Sequence, residues 1–192
     1  MVTVGILLFP QVEELDFVGP FEILSYCNKI KPDSIKVMLV AETAEPIEAF
    51  NGLKVFPHIT LANCPQLDII VVPGGKGRLD AMKNPALIEF ITKQSQLAKF
   101  TTSVCTGAFL LAEAGLLTGK QATTYHTALA ELAAYSVNVL SQKVVHDGRI
   151  ISSAGVSSGI ELGLYVLKLL FGAALSQEVA DKIEYGIDVT RL

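Results

Sequence analysis

Lys99–Gly119, KFTTSVCTGAFLLAEAGLLTG, decides how the rest of the chain is read. Phe100–Val104 is short, β-branched and rich in apolar atoms, which predicts a buried strand. Cys105 follows at once, then Thr106 and Gly107. Ala108–Leu117 is an alanine- and leucine-rich run with no β-branched residue, and it predicts a helix. Strand, sharp turn and helix with a thiol at the turn is the layout of a nucleophile elbow. A helix N-terminus beside the sulfur is expected to lower the thiol pKa. The small residues after Cys105 leave room for a substrate, and backbone N–H groups there can hold a developing anion. A buried structural cysteine at a strand end is the competing reading, because free cysteine is among the most buried residue types.

Working outward, Val2–Phe9 predicts a first buried strand, ended by Pro10. A helix is expected from about Glu13 to Lys29, with Pro20 kinking it or marking its true start. Ile35–Ala41 and Leu67–Val72 predict two more core strands, and Asn51-Gly52 is a hairpin signal between them. A helix is expected over Asn84–Leu97, before the elbow. Beyond it, Ala122–Thr124, Val137–Leu140, Lys143–His146 and Ile150–Ser152 predict short strands, the last two turning at Asp147-Gly148. A helix is expected at Ala128–Ala133 between the first two of these. Ser158–Glu161 resembles a capping box opening a helix over Ile160–Leu170, and a last helix is expected at about Ser176–Tyr185. Strands alternating with helices predict an α/β fold: one flavodoxin-like, doubly wound, mostly parallel sheet with helices on both faces, forming a single domain over residues 1–192.

Composition narrows the function. Hydrophobic residues make up 51 % and charged residues 18 %, yet the longest apolar runs are too short or too interrupted to cross a bilayer. MVTVGILLFP reads as a strand rather than a signal peptide. A net charge of −4 with dispersed Lys and Arg argues against a nucleic-acid partner. Three cysteines without CxxC spacing indicate neither a zinc site nor a disulfide framework, so a reduced, cytoplasmic protein is expected. GxGxxG and a Walker-type phosphate loop are absent, and no cofactor is expected.

Sites in open parallel sheets form outside the carboxyl ends of the strands. That edge is expected to gather Asp16 from LDFVGP, Gly74 and Gly75 from VVPGG, and Cys105 with Thr106. A carboxylic acid near a thiolate is kept protonated by the like charge and can donate a proton; an ordinary helix cap is the alternative for Asp16. Gly74 and Gly75 can form an N–H nest for an oxyanion or simply a tight turn. Thr106 offers a hydroxyl and an N–H to the same pocket, or is an ordinary first-turn residue. His126, 21 positions after Cys105, is the best candidate for a Cys–His pair, against a local hydrogen-bonding role.

Four stretches taken together carry a family resemblance: LDFVGPFEIL (15–24), DIIVVPGG (68–75), SVCTGAFLLAEAGLLTGKQATT (103–124) and VVHDGRIISSAGVSSGIELGL (144–164). They resemble the ThiJ/PfpI superfamily and, within it, the isonitrile hydratase branch. The resemblance implies a flavodoxin-like sandwich, a homodimer and a small electrophilic substrate. It implies a cofactor-free lyase reaction in which water adds to R–N≡C to give an N-substituted formamide. In that scheme Cys105 attacks the terminal carbon, Asp16 handles the proton and orients water, and Thr106 assists. The branch often has Thr-His-Trp after its ATT strand, whereas this chain reads Thr124-Tyr125-His126 and contains no tryptophan. Two other readings use the same thiol: glyoxalase- or deglycase-type work on reactive carbonyls, and a non-catalytic stress module in which Cys105 is oxidised or binds an effector.

Overall fold

The computed structural model describes residues 1–192. β1 (Val2–Leu7), α1 (Glu14–Ile30) and β2 (Ile35–Ala41) make the first crossover. A hairpin of β3 (Ile47–Glu48) and β4 (Lys54–Val55) turns at Asn51-Gly52 and leads to β5 (Ile59–Thr60). β6 (Ile69–Val72), α2 (Arg78–Ala81), α3 (Pro85–Leu97), β7 (Phe100–Val104) and α4 (Ala108–Glu113) follow. β8 (Gln121–Ala122) and β9 (Asn138–Val139) pair with each other on either side of α5 (Leu129–Ala133). The chain ends with the hairpin β10 (Val144–Asp147) and β11 (Ile150–Ser153), then α6 (Ser158–Phe171) and α7 (Ala173–Lys182).

Seven strands form one sheet in the order β10-β11-β7-β6-β1-β2-β5. All neighbours are parallel except β10, which runs antiparallel to β11. After β1 the chain steps to β2 on one side, then returns to β6 on the other. Because crossovers are right-handed, this reversal puts α1 on one face and α3 and α4 on the opposite face. It also opens a crevice at the carboxyl ends of β1, β6 and β7. β6 and β7 read as runs of buried residues because both faces of the sheet are covered. Thr102 Oγ1 of β7 donates to the Ile70 carbonyl at 3.0 Å and Ser153 Oγ to the Ser103 carbonyl at 3.2 Å, while the Ser103 hydroxyl is buried without a partner. No helix is long and apolar enough to cross a membrane.

Several elements depart from the pattern-based expectation. α1 runs unbroken through Pro20, whose missing N–H leaves the Asp16 carbonyl without its helical partner. α4 stops at Glu113 rather than Leu117, because Gly115 takes a left-handed φ of +73°. The capping box does not form: Ser157 is the N-cap of α6 and makes no side-chain cap bond. Glu161 instead turns inward, accepting from Lys143 Nζ and the Tyr185 hydroxyl, each at 2.9 Å. The final helix spans Ala173–Lys182, earlier than expected, and β5 and α2 were not foreseen because each is too short to carry a period.

α1 and α6 pack against each other at close range, and Gly159 and Gly163 make that possible. Pro20 Cδ lies 2.9 Å from where a Gly159 β-carbon would stand, and Ile23 Cβ lies 2.7 Å from the Gly163 position. Gly163→Ala is therefore expected to push α1, and Asp16 with it, off the sheet. Crowding costs about 1–3 kcal/mol, against about 1 kcal/mol gained in helix propensity, for a net loss of roughly 1 kcal/mol. Urea unfolding should show a lower midpoint; an unchanged midpoint would mean the two helices separate without cost.

Candidate active site

Cys105 leaves β7 with φ +55°, a left-handed conformation that costs a non-glycine residue of order 1–3 kcal/mol. The turn is held at both ends of the residue. Its N–H donates to the Ala154 carbonyl at 2.9 Å, and its carbonyl accepts from Thr124 Oγ1 at 2.8 Å. Gly107 then lies so close to the Val72 carbonyl that a side chain would collide with it. The thiol is buried, at 6 % exposure for the residue.

Asp16 comes from the first turn of α1 and has no solvent exposure. It is not a helix cap: its Oδ2 accepts the Gly74 N–H at 2.9 Å, across 58 residues of chain. The other oxygen, Oδ1, is buried without a hydrogen-bond partner. Burial pushes the carboxyl up to about 7; the Glu13 charge adds to this, while the Gly74 N–H and the Cys105 thiol hold it back. Burial, and then the Asp16 charge, push the Cys105 thiol up to about 12. The Val156 and Thr106 N–H groups and the Thr106 hydroxyl face the sulfur and offset only part of this. The expected depressed thiol pKa is thus corrected: α4 has only six residues, and its terminus is outweighed by burial and by the neighbouring carboxylate. Near neutrality the resting pair is a neutral thiol beside a carboxyl poised to take its proton.

Gly74 and Gly75 do not form an open oxyanion nest. The Gly74 N–H is used by Asp16, and the Gly75 N–H donates to Thr106 Oγ1 at 3.1 Å. A β-carbon on Gly74 would collide with the Thr106 hydroxyl and amide, so the glycine is what lets acid and elbow meet. Because Thr106 Oγ1 accepts from Gly75, its hydrogen is left to donate toward the sulfur or a ligand. The available anion-holding N–H groups belong to Thr106 and to Val156, itself at φ +32°.

A cavity of about 310 Å³ opens over the thiol, lined by Cys105, Thr106, Tyr125, Val156, Arg78 and Phe50 among others. His126 is not among its walls, which corrects the expected Cys–His pair. It is exposed and borders a separate depression with Thr123, Thr124 and Lys143. Tyr125, whose ring centroid lies 4.4 Å from that of His126, packs its ring into the space left by Gly155, where any β-carbon would strike it. Arg78 Nη2 donates to both Glu131 carboxylate oxygens, at 2.7 and 2.9 Å, its Nη1 is buried without a partner, and the guanidinium lies 4.0 Å over the Phe109 ring. Phe50 reaches the rim because Glu14 clamps the hairpin, taking the Asn51 N–H and Nδ2 at 2.7 Å each. A larger cavity, about 410 Å³, lies between Leu8–Gln11, Ile47 and α2 and contains no thiol. No three His, Cys, Asp or Glu side chains are gathered as metal ligands.

A parallel sheet reversing at β1, with a thiol on a left-handed turn after a central strand and a buried carboxyl facing it from the first helix, defines the flavodoxin-like class of cysteine-elbow α/β proteins. Residues 2–169 match the model of the DJ-1/PfpI family, and the chain belongs to that family. It is 40 % identical over 186 residues to the isonitrile hydratase of Pseudomonas putida, covering 95 % of this chain and 78 % of that enzyme. It is 24 % identical to the glutathione-independent glyoxalase DJR-1.2 of Caenorhabditis elegans over 87 % of this chain and 88 % of that one. A solved ThiJ/PfpI family protein from Pseudomonas syringae superposes with a TM-score of 0.88 at 30 % identity, covering 97 % of this chain and 76 % of that one.

The buried acid carries a sign for stability. A folded-state pKa raised from 3.8 to about 7 means that the stability Asp16 contributes is full below about pH 3.8 and is lost as pH rises through 7. Asp16→Asn should therefore be more stable than wild type at about pH 8.5, by at most about 4 kcal/mol, with the gain shrinking toward about pH 4. Urea unfolding across that range checks it, and a pH-independent difference would contradict the assignment.

Proposed function

We propose that this chain is a cysteine-dependent hydratase that converts an isonitrile to an N-substituted formamide. The observation that carries the reading is the Cys105–Asp16 pair: a neutral thiol beside a buried carboxyl with one oxygen free. The 40 % identity to an isonitrile hydratase supports the same substrate class. Asp16 takes the thiol proton while the sulfur bonds to the terminal carbon of R–N≡C. Asp16 then passes that proton to the same carbon, leaving a thioformimidate, R–N=CH–S–Cys105. The regenerated carboxylate deprotonates a water, whose oxygen adds to the carbon. The proton left on that oxygen moves to the nitrogen as C=O forms and the C–S bond breaks; the sulfur recovers its proton from Asp16, and R–NH–CHO departs. Thr106 donates its free hydroxyl hydrogen toward the sulfur, steadying the thiolate as it forms and leaves.

The protein is proposed to act as a homodimer in the cytoplasm. Exposed Phe50, Leu53 and Phe56 on the β3–β4 hairpin, beside the cavity mouth, offer an apolar surface for a second copy, and three free cysteines suit a reducing compartment. A glyoxalase-type reading on reactive carbonyls is the second proposal, favoured by the Thr106 and Val156 N–H groups, which suit a carbonyl oxyanion.

Purified protein incubated with cyclohexyl isocyanide should release the formamide, followed by chromatography. Cys105→Ala should abolish the product and Asp16→Ala should lower its rate by about 10²–10⁴-fold. No product from wild type, with Cys105 still open to alkylation, would replace the isonitrile reading by carbonyl chemistry.

A further inference from the structure

Hydration of the thioformimidate needs a proton at the substrate nitrogen, and the pair that serves the carbon is not free to give it. When water attacks, Asp16 is accepting the water's proton, and Cys105 is bonded to the substrate. The nitrogen therefore requires a second donor on the cavity wall. Thr106 turns its hydroxyl to the sulfur. Arg78 is committed to Glu131 and stacked on Phe109, and a guanidinium does not release a proton near neutrality. Lys76 is exposed, with Nζ 5.8 Å from the Phe50 ring centroid. Tyr125 remains. Its ring is half-buried and wedged against Gly155, it lines the cavity with Cys105, and its hydroxyl makes no hydrogen bond within the protein.

We propose that the Tyr125 phenol is the proton donor to the substrate nitrogen in the second half-reaction, a role that rests on the hydratase reading. As the water oxygen bonds to carbon, the Tyr125 O–H bond breaks and the N–H bond forms, giving R–NH–CH(OH)–S–Cys105 and a phenolate. The phenolate then takes the hydroxyl proton of that intermediate as C=O forms and C–S breaks. Sulfur is reprotonated by Asp16, and both side chains return to their starting states. The resulting division is spatial: Asp16 and Thr106 serve the sulfur and carbon, and Tyr125 serves the nitrogen. His126, the neighbour that the chain's pattern favours, borders the separate depression with Thr123 and Thr124 and is not among the walls of this cavity, although its ring centroid lies 4.4 Å from that of Tyr125.

Tyr125→Phe keeps the ring against Gly155 and removes only the hydroxyl. Wild type, Tyr125→Phe and Tyr125→His are incubated with cyclohexyl isocyanide while formamide release and the intact protein mass are followed. Iodoacetamide labelling of Cys105 is measured in parallel. The expected result is a formamide rate about 10²-fold lower in Tyr125→Phe, with accumulation of protein carrying one isonitrile on Cys105 and an unchanged labelling rate. Tyr125→His, which offers another N–H donor, should recover part of the loss. Formamide release from Tyr125→Phe at the wild-type rate would overturn the proposal while leaving the hydratase reading intact. So would a slow variant that builds up no adduct, or one whose labelling slows in step, since packing would then be the cause. Wild type that makes no formamide would remove the hydratase reading and this role together.

Discussion

A carboxyl with no solvent exposure and one hydrogen bond from a backbone N–H is the constraint that organises this protein. Burying such a group is costly unless it is neutralised or paired, and here neither compensation is complete. Asp16 keeps one oxygen bare, so its proton affinity rises into the neutral range rather than being quenched by a cation. The same burial raises the thiol, and the two groups lean on each other: a charge on one disfavours a charge on the other. A pair that resists a second charge is suited to exchanging one proton with a reacting carbon. A salt-bridged carboxylate would be more stable and chemically inert.

Much of the packing exists to keep that pair together. α1 carries Asp16 and must lie close to the sheet edge, and Gly159 and Gly163 on α6 let it do so. Gly74 removes the only side chain that would stand between acid and elbow. Cys105 sits in a strained conformation, yet its N–H and carbonyl are both held, one by the residue after β11 and one by Thr124 beyond β8. Strain of a few kcal/mol persists because separate segments share the restraint, and the sulfur is thereby aimed away from the strand and into the crevice.

The strands were legible because β6 is an unbroken β-branched run and β7 is rich in β-branched residues, and β7 and β2 keep the bounds their patterns suggest. The two Asx-Gly turns placed both hairpins, since only that chemistry suits a tight reversal. Asp16, Cys105 and Thr106 were legible as a group because parallel strands end on one edge. The electrostatics were not: pattern reading sees a helix terminus beside the thiol but not the burial that overrides it. Glu161 failed for a related reason, because a capping-box spacing does not reveal that Lys143 and Tyr185, distant along the chain, reach its carboxylate. The exchange of His126 for Tyr125 was invisible for want of one contact. Which of two adjacent side chains enters the cavity is decided by Gly155, 30 residues away along the sequence.

Thiol and acid by themselves do not choose a reaction. The relatives this chain matches include one named for isonitrile hydration and one named for glutathione-independent glyoxalase activity, at 40 % and 24 % identity. An elbow of this kind can activate sulfur for either reaction, so the choice rests with groups that meet the substrate beyond the bond-forming carbon. In this chain those groups come from connections rather than from the sheet: the Asn51-Gly52 hairpin supplies Phe50, the turn after β6 supplies Arg78, and the turn after β8 supplies Tyr125. Arg78 illustrates the point, since its charge is already balanced by Glu131 and its plane is covered by Phe109. Its Nη1 is nonetheless buried without a partner, so one donor of that wall is left for an acceptor atom.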